Sequence, residues 1–122
     1  MTQGDLLARL LALEGVTSAA LVGANGDLVT LPGGPLAPAA EEIGAHLTSE
    51  RVLSELLGAE VPTQTVLEFG AKGVLLAQSA EVGGEPLTAV LLFAARDLNR
   101  VRFGLRRLLP DVPAERPRQL RT

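Results

Sequence analysis

His46 is the single histidine of the chain, and Glu42 and Glu50 stand four residues to either side of it. On a helix all three share one face. An imidazole between two carboxylates is the nearest this sequence comes to acid–base or metal chemistry. A zinc site needs three or four ligands, and with no cysteine in the chain His46 would need a carboxylate cluster at ligand spacing. The sequence has none, and a contact along a helix surface accounts for the trio. Serine nucleophiles fare no better, because the one histidine is committed to that helix and no serine sits in a recognisable motif. Gly23, Gly26, Gly33 and Gly34 lack the Lys-Ser or Lys-Thr of a phosphate-binding loop and read as turn residues. The Glu41-Glu42 pair falls in the first turns of a helix, where carboxylates meet the positive end of the macrodipole. The residues predict no catalytic site, no metal site and no cofactor.

Charge is the other chemical resource. Residues 1–95 carry three basic and eleven acidic side chains, whereas residues 96–122 carry eight arginines and three acids. An acidic body with a basic C-terminal end suits a charged partner, internal complementarity, or simply a solvated helix face followed by a loose tail. The arginines have no interleaved aromatic platform, since the chain holds three phenylalanines, no tyrosine and no tryptophan. Nucleic acid is therefore not an expected partner.

A length of 122 residues suits one domain, which on folding buries roughly 65% of its unfolded surface. No apolar run approaches the ~18 residues of a membrane span. Residues 1–15 place leucines at helical spacing and lack a signal-peptide pattern, and the absence of cysteine agrees with a reducing compartment, so a cytoplasmic location is expected. Ten arginines against one lysine, Lys72, suggest a high-GC bacterial genome.

The elements that would position these residues are organised around Leu87–Phe93. Its apolar side chains occur on both parities, whereas a strand with one wet face alternates. It reads as a central strand covered on both faces. Before it, Leu6, Leu10 and Leu13 mark a first helix, capped at Asp5 and ended by Gly15. Ala19–Val22 and Leu28–Leu31 form a hairpin about Asn25-Gly26. A long helix, Ala37–Leu57, follows. It carries Leu36, Ala39, Ala40, Ile43, Leu47 and Leu57 on one side and Val52, Leu53 and Leu56 on nearly the opposite one. Either it bends near Thr48-Ser49 or its second half buries a face against another molecule; the second reading is preferred. Thr63–Phe69 alternates and reads as an edge strand, with Thr63, Thr65, Leu67 and Phe69 on one face. Val74–Ala80 and Leu87–Phe93 complete a meander. The last helix runs from an N-cap at Asp97 to Leu109, with Phe103 off its main stripe and packed on the first helix, or else part of a partner site. Residues 111–122 read as a mobile basic tail.

The expected architecture is α+β, with a five-stranded antiparallel sheet, helices one and three on one face and helix two on the other. This order resembles the roadblock/dynein light-chain family, a profilin-like three-layer α/β/α fold. The resemblance rests on the Gly15-Val16 end of helix one, the run Ala19-Ala20-Leu21-Val22, the Gly26 turn and the closing helix Leu98–Leu109 with its arginines. It covers about residues 3–110, and residues 1–110 are read as a single roadblock-like domain. It departs at Asn99-Arg100, where many members carry a glycine. The resemblance implies a noncatalytic homodimer that joins the edge strand Thr63–Phe69 across a twofold axis beside the long helix. Val52, Leu53, Leu56, Thr63, Thr65, Leu67 and Phe69 would then form the dimer interface. It also implies a bacterial scaffold or activator of a small Ras-like GTPase, with Arg100, Arg102 and Arg106 as the partner surface. The alternatives are a small-ligand sensor or a general protein-interaction adaptor of profilin-like fold.

Overall fold

The structure, a computed structural model, describes residues 2–23, 34–60 and 63–109. The elements run α1 (Gln3–Leu11), β1 (Val16–Gly23), α2 (Ala40–Leu57), β2 (Gln64–Glu68), β3 (Val74–Val82), β4 (Glu85–Phe93) and α3 (Leu98–Leu108). The strands form one antiparallel sheet in the order β1-β4-β3-β2, so β4 is flanked on both sides. Leu91 faces Ala19 across one ladder and Leu76 across the other. The apolar run over Leu87–Phe93 is therefore central, as its lack of alternation predicts. Gly83 and Gly84 supply the two-residue turn between the paired Val82 and Glu85.

Side chains of the strands alternate between two hydrophobic clusters, which is why both parities of β4 are apolar. Leu87, Ala89, Leu91 and Phe93 join Leu6 and Leu10 of α1 and Val101 and Leu105 of α3. Val90 joins Ala20, Val22, Leu36 and Ala77, with Ile43 and Leu47 of α2 partly buried against them. The first cluster is closed: Leu6, Leu10 and Val101 are fully buried. The second has a looser outer wall, since Ile43 and Leu47 remain only partly buried.

Four strands stand where five are expected. Leu28–Leu31, the missing partner, lies outside the described residues, so β1 has a neighbour in β4 alone among those described. Its Asn25-Gly26 turn and the tail 111–122 lie outside them too.

Local chemistry moves several helix ends. Thr2, not Asp5, caps α1. The Thr2 hydroxyl accepts from the Asp5 N–H at 3.0 Å, and the Asp5 carboxylate accepts from the Thr2 N–H at 3.0 Å. A residue at N3 can reach back in this way, whereas the cap itself must precede it. The long helix opens as a 3-10 segment, Gly34–Ala39, before turning α-helical at Ala40, because Pro38 has no N–H to donate. It then stays α-helical through Thr48-Ser49 to Leu57.

Asp97 occupies the N-cap position of α3 but makes no side-chain cap bond. Its side chain lies against Gly15, where a Cβ would stand 2.9 Å from the Asp97 Cγ, and it pairs with Arg100 at 3.4 Å. Among the described residues no helix is long and apolar enough to cross a membrane.

Candidate interaction surface

The two sides of α2 meet different surroundings. Ile43 and Leu47 rest against the second cluster, and the next residues on that side are Glu50 and Ser54. Ser54 is buried and its hydroxyl donates to the Glu50 carbonyl at 2.9 Å. Glu50 is the tie between helix and sheet edge. One of its carboxylate oxygens accepts from the Thr65 hydroxyl at 3.0 Å, and the other meets His46 Nε2 at 3.0 Å. His46 is thus held in a helix-surface contact with a structural function. Among the described residues no group of three His, Cys, Asp or Glu side chains is placed to hold a metal ion.

Val52, Leu53, Leu56 and Leu57 face outward, with Leu56 78% and Leu57 72% exposed. Four large apolar side chains on one helix end form a continuous patch of the kind that marks an interface rather than scattered surface leucines. Beside it runs β2, which pairs with β3 alone and leaves its other edge open among the described residues. An open edge presents unpaired N–H and C=O groups to any strand that can lie alongside.

Between α2 and the sheet lies a groove of about 830 Å³. Its walls are aliphatic, from Leu36, Ile43 and Leu47 on the helical side and Leu67, Leu75 and Leu92 on the sheet. Phe69, 53% exposed, and Lys72 stand at the turn between β2 and β3 and also line it. The under-packed second cluster and this groove are one feature.

On α3, apolar Val101 and Leu105 face the core, Arg102 is half-buried, and Arg100, Arg106 and Arg107 are exposed. Arg100 pairs with Glu14 and Asp97, both at 3.4 Å. Arg102 Nε donates to Gln64 Oε1 at 2.9 Å, and Gln64 Nε2 donates in turn to Gln78 Oε1 at 2.6 Å. Arg106 is exposed. Phe103 is 58% exposed rather than packed on α1, and the Arg107 guanidinium lies over its ring, 5.7 Å from the centroid. At position 104, one residue on, there is no side chain, and Leu13 from the end of the first helical segment fills that space.

The residues expected at an interface therefore occur in two settings. Val52, Leu53 and Leu56 make the open patch. Thr63 is exposed, Thr65 is spent on Glu50, and Leu67 and Phe69 turn toward the groove. Of the expected partner arginines, Arg100 and Arg102 are engaged within the chain and Arg106 extends into solvent. Leu57 belongs to the patch although helical spacing assigns it to the Ile43 side; its place in the last turn, ahead of Gly58, frees it. The ties of Glu50 to Thr65 and of Gln64 to Gln78 and Arg102 are not legible in the sequence, because those partners are distant along the chain.

No protein-family model and no curated protein matches the sequence. The fold, in contrast, is similar to that of MglB from Myxococcus xanthus, with a TM-score of 0.68 at 21% identity, covering 92% of this chain and 94% of that one. The gliding protein MglB from Thermus thermophilus is similar at a TM-score of 0.63 and 21% identity, over 85% of this chain and 80% of the other. A Roadblock/LC7 domain from Streptomyces avermitilis gives a TM-score of 0.59 at 20% identity, over 88% and 92%.

Proposed function

We propose that this chain, with its roadblock fold, is a noncatalytic homodimeric regulator that binds and modulates a small Ras-like GTPase in the bacterial cytoplasm. The observation that carries the reading is the juxtaposition of an open strand edge, β2, with the exposed patch Val52, Leu53, Leu56 and Leu57 on the adjoining helix. Two copies related by a twofold axis would pair their β2 edges antiparallel and bring the α2 patches together, satisfying both at once. MglB, one of the proteins with this fold, is known in a tetrameric arrangement, which supports self-association as a property the fold tolerates. The profilin-like layering, with α1 and α3 on one face of the sheet and α2 on the other, is supported by the division of side chains between the two clusters.

The GTPase would dock on the dimer and shift the conformation of its switch segments, with no residue of this chain entering the chemistry. Arg106 and Arg100 are the exposed cations on the expected partner surface, and Arg102 serves first to hold α3 against β2. The test is a mixture of the purified chain with the small Ras-like GTPase encoded nearest to it. Complex formation by light scattering and a changed rate of GTP hydrolysis are expected. A chain that stays at its 12.7 kDa protomer mass and leaves hydrolysis unaltered would overturn the reading.

A further inference from the structure

We propose that the groove between α2 and the sheet is a binding site for a linear aliphatic carboxylate, with the tail between the helix and the strands and the head group on Lys72. At about 830 Å³ it falls within the size range of ligand pockets. Its walls are branched aliphatic side chains from three strands and a helix, without a directional hydrogen-bonding array. A flexible hydrocarbon tail suits such walls better than a polar or flat ligand does.

The polar residues at the groove narrow the head group. The Thr17 hydroxyl is spent on the Leu92 carbonyl at 2.9 Å, and Thr65 and His46 are both spent on Glu50. Glu42 is a carboxylate of the first turn of α2, where the macrodipole accounts for its charge. Lys72 has no such account. It is the sole lysine of the chain, it lines the groove, and among the described residues its ammonium makes no hydrogen bond or ion pair. A cation among the residues lining an apolar trough complements a carboxylate on an aliphatic chain.

The site is independent of the GTPase reading, and its test uses the full chain with defined amphiphiles. Calorimetric titration with dodecanoate below its micelle concentration should show saturable binding at one site per chain. Dodecanol, which has the tail without the charge, should bind more weakly, and butyrate should not bind. Lys72→Met, which keeps an unbranched side chain of similar length, should weaken dodecanoate about five- to tenfold, to the level of dodecanol. Ile43→Trp, filling the groove, should abolish both while circular dichroism reports a folded chain. Unchanged dodecanoate affinity in Lys72→Met would overturn the proposal, as would no binding by the folded wild type. Binding that appears only as a dimer dissociates would assign the groove to a second copy and overturn it equally.

Discussion

Arg102 Nε donates to Gln64 Oε1 at 2.9 Å, joining the last helix to the edge strand across 38 positions of sequence. Gln64 passes the contact on to Gln78 of β3. A half-buried guanidinium held in this way is part of the fold before it is part of any docking surface. Arg102→Ala should cost about 1–2 kcal/mol in urea unfolding, since Gln64 loses its charged donor. Arg106→Ala should leave the midpoint unchanged while weakening association with an acidic partner and flattening its salt dependence. Equal stability of the two variants would mean that the Arg102 contact carries no energy.

Gly73 has φ 113°, and a Cβ there would stand 2.7 Å from the Phe93 carbonyl oxygen. That oxygen belongs to the backbone of the central strand and cannot move aside as a side chain would. Gly73→Ala should therefore destabilise the chain by about 2 kcal/mol or more, from left-handed strain and the clash together. A variant that unfolds with the wild-type midpoint would contradict the close approach.

Leu91 is fully buried in the first cluster, and Leu56 is 78% exposed. Leu91→Ala should cost about 2–5 kcal/mol through its cavity and visibly lower the melting temperature. Leu56→Glu should leave the protomer's fold intact and instead break the proposed dimer, because its charge would be desolvated in that seam without a partner. Mass by light scattering and the unfolding midpoint, measured on both variants, separate the two outcomes. A Leu56→Glu protein that remains dimeric would move the interface onto β2 alone.

Asp5 is held below its ordinary carboxylate pKa, first by the hydrogen bond from the Thr2 backbone and then by the one from its side chain. A carboxylate depressed in the folded state stabilises it above the unfolded pKa, about 3.9. That contribution disappears as pH falls through the lower folded value. Helicity of α1 should thus fray on acidification below about pH 4. Thr2→Ala should remove this dependence, which circular dichroism at pH 3 and pH 6 would check. An identical acid response in Thr2→Ala would rule out the capping box as its source.

The sequence by itself determined the centre of the fold. Leu87–Phe93 is apolar at both parities because it must satisfy two clusters, and that demand is written in consecutive residues. The amphipathic stripes of α1 and α3 and the outward Val52, Leu53 and Leu56 are legible for the same reason, since helical and strand periods are local geometry. Local period also places Glu50 beside His46. It says nothing of Thr65, which reaches Glu50 only once β2 lies under the helix.

Tertiary structure alone decided how the polar residues divide. Arg100, Arg102 and Arg106 all fall on the polar side of one helix, yet only the placement of Gln64 makes Arg102 a half-buried tie, while Arg100, paired with Glu14 and Asp97, stays exposed like Arg106. Phe103 faces solvent instead of α1, and the groove lies between α2 and the sheet. Each of these depends on the distance between elements remote in sequence. Residue type and spacing specify which surfaces seek burial, but not what fills the space between them.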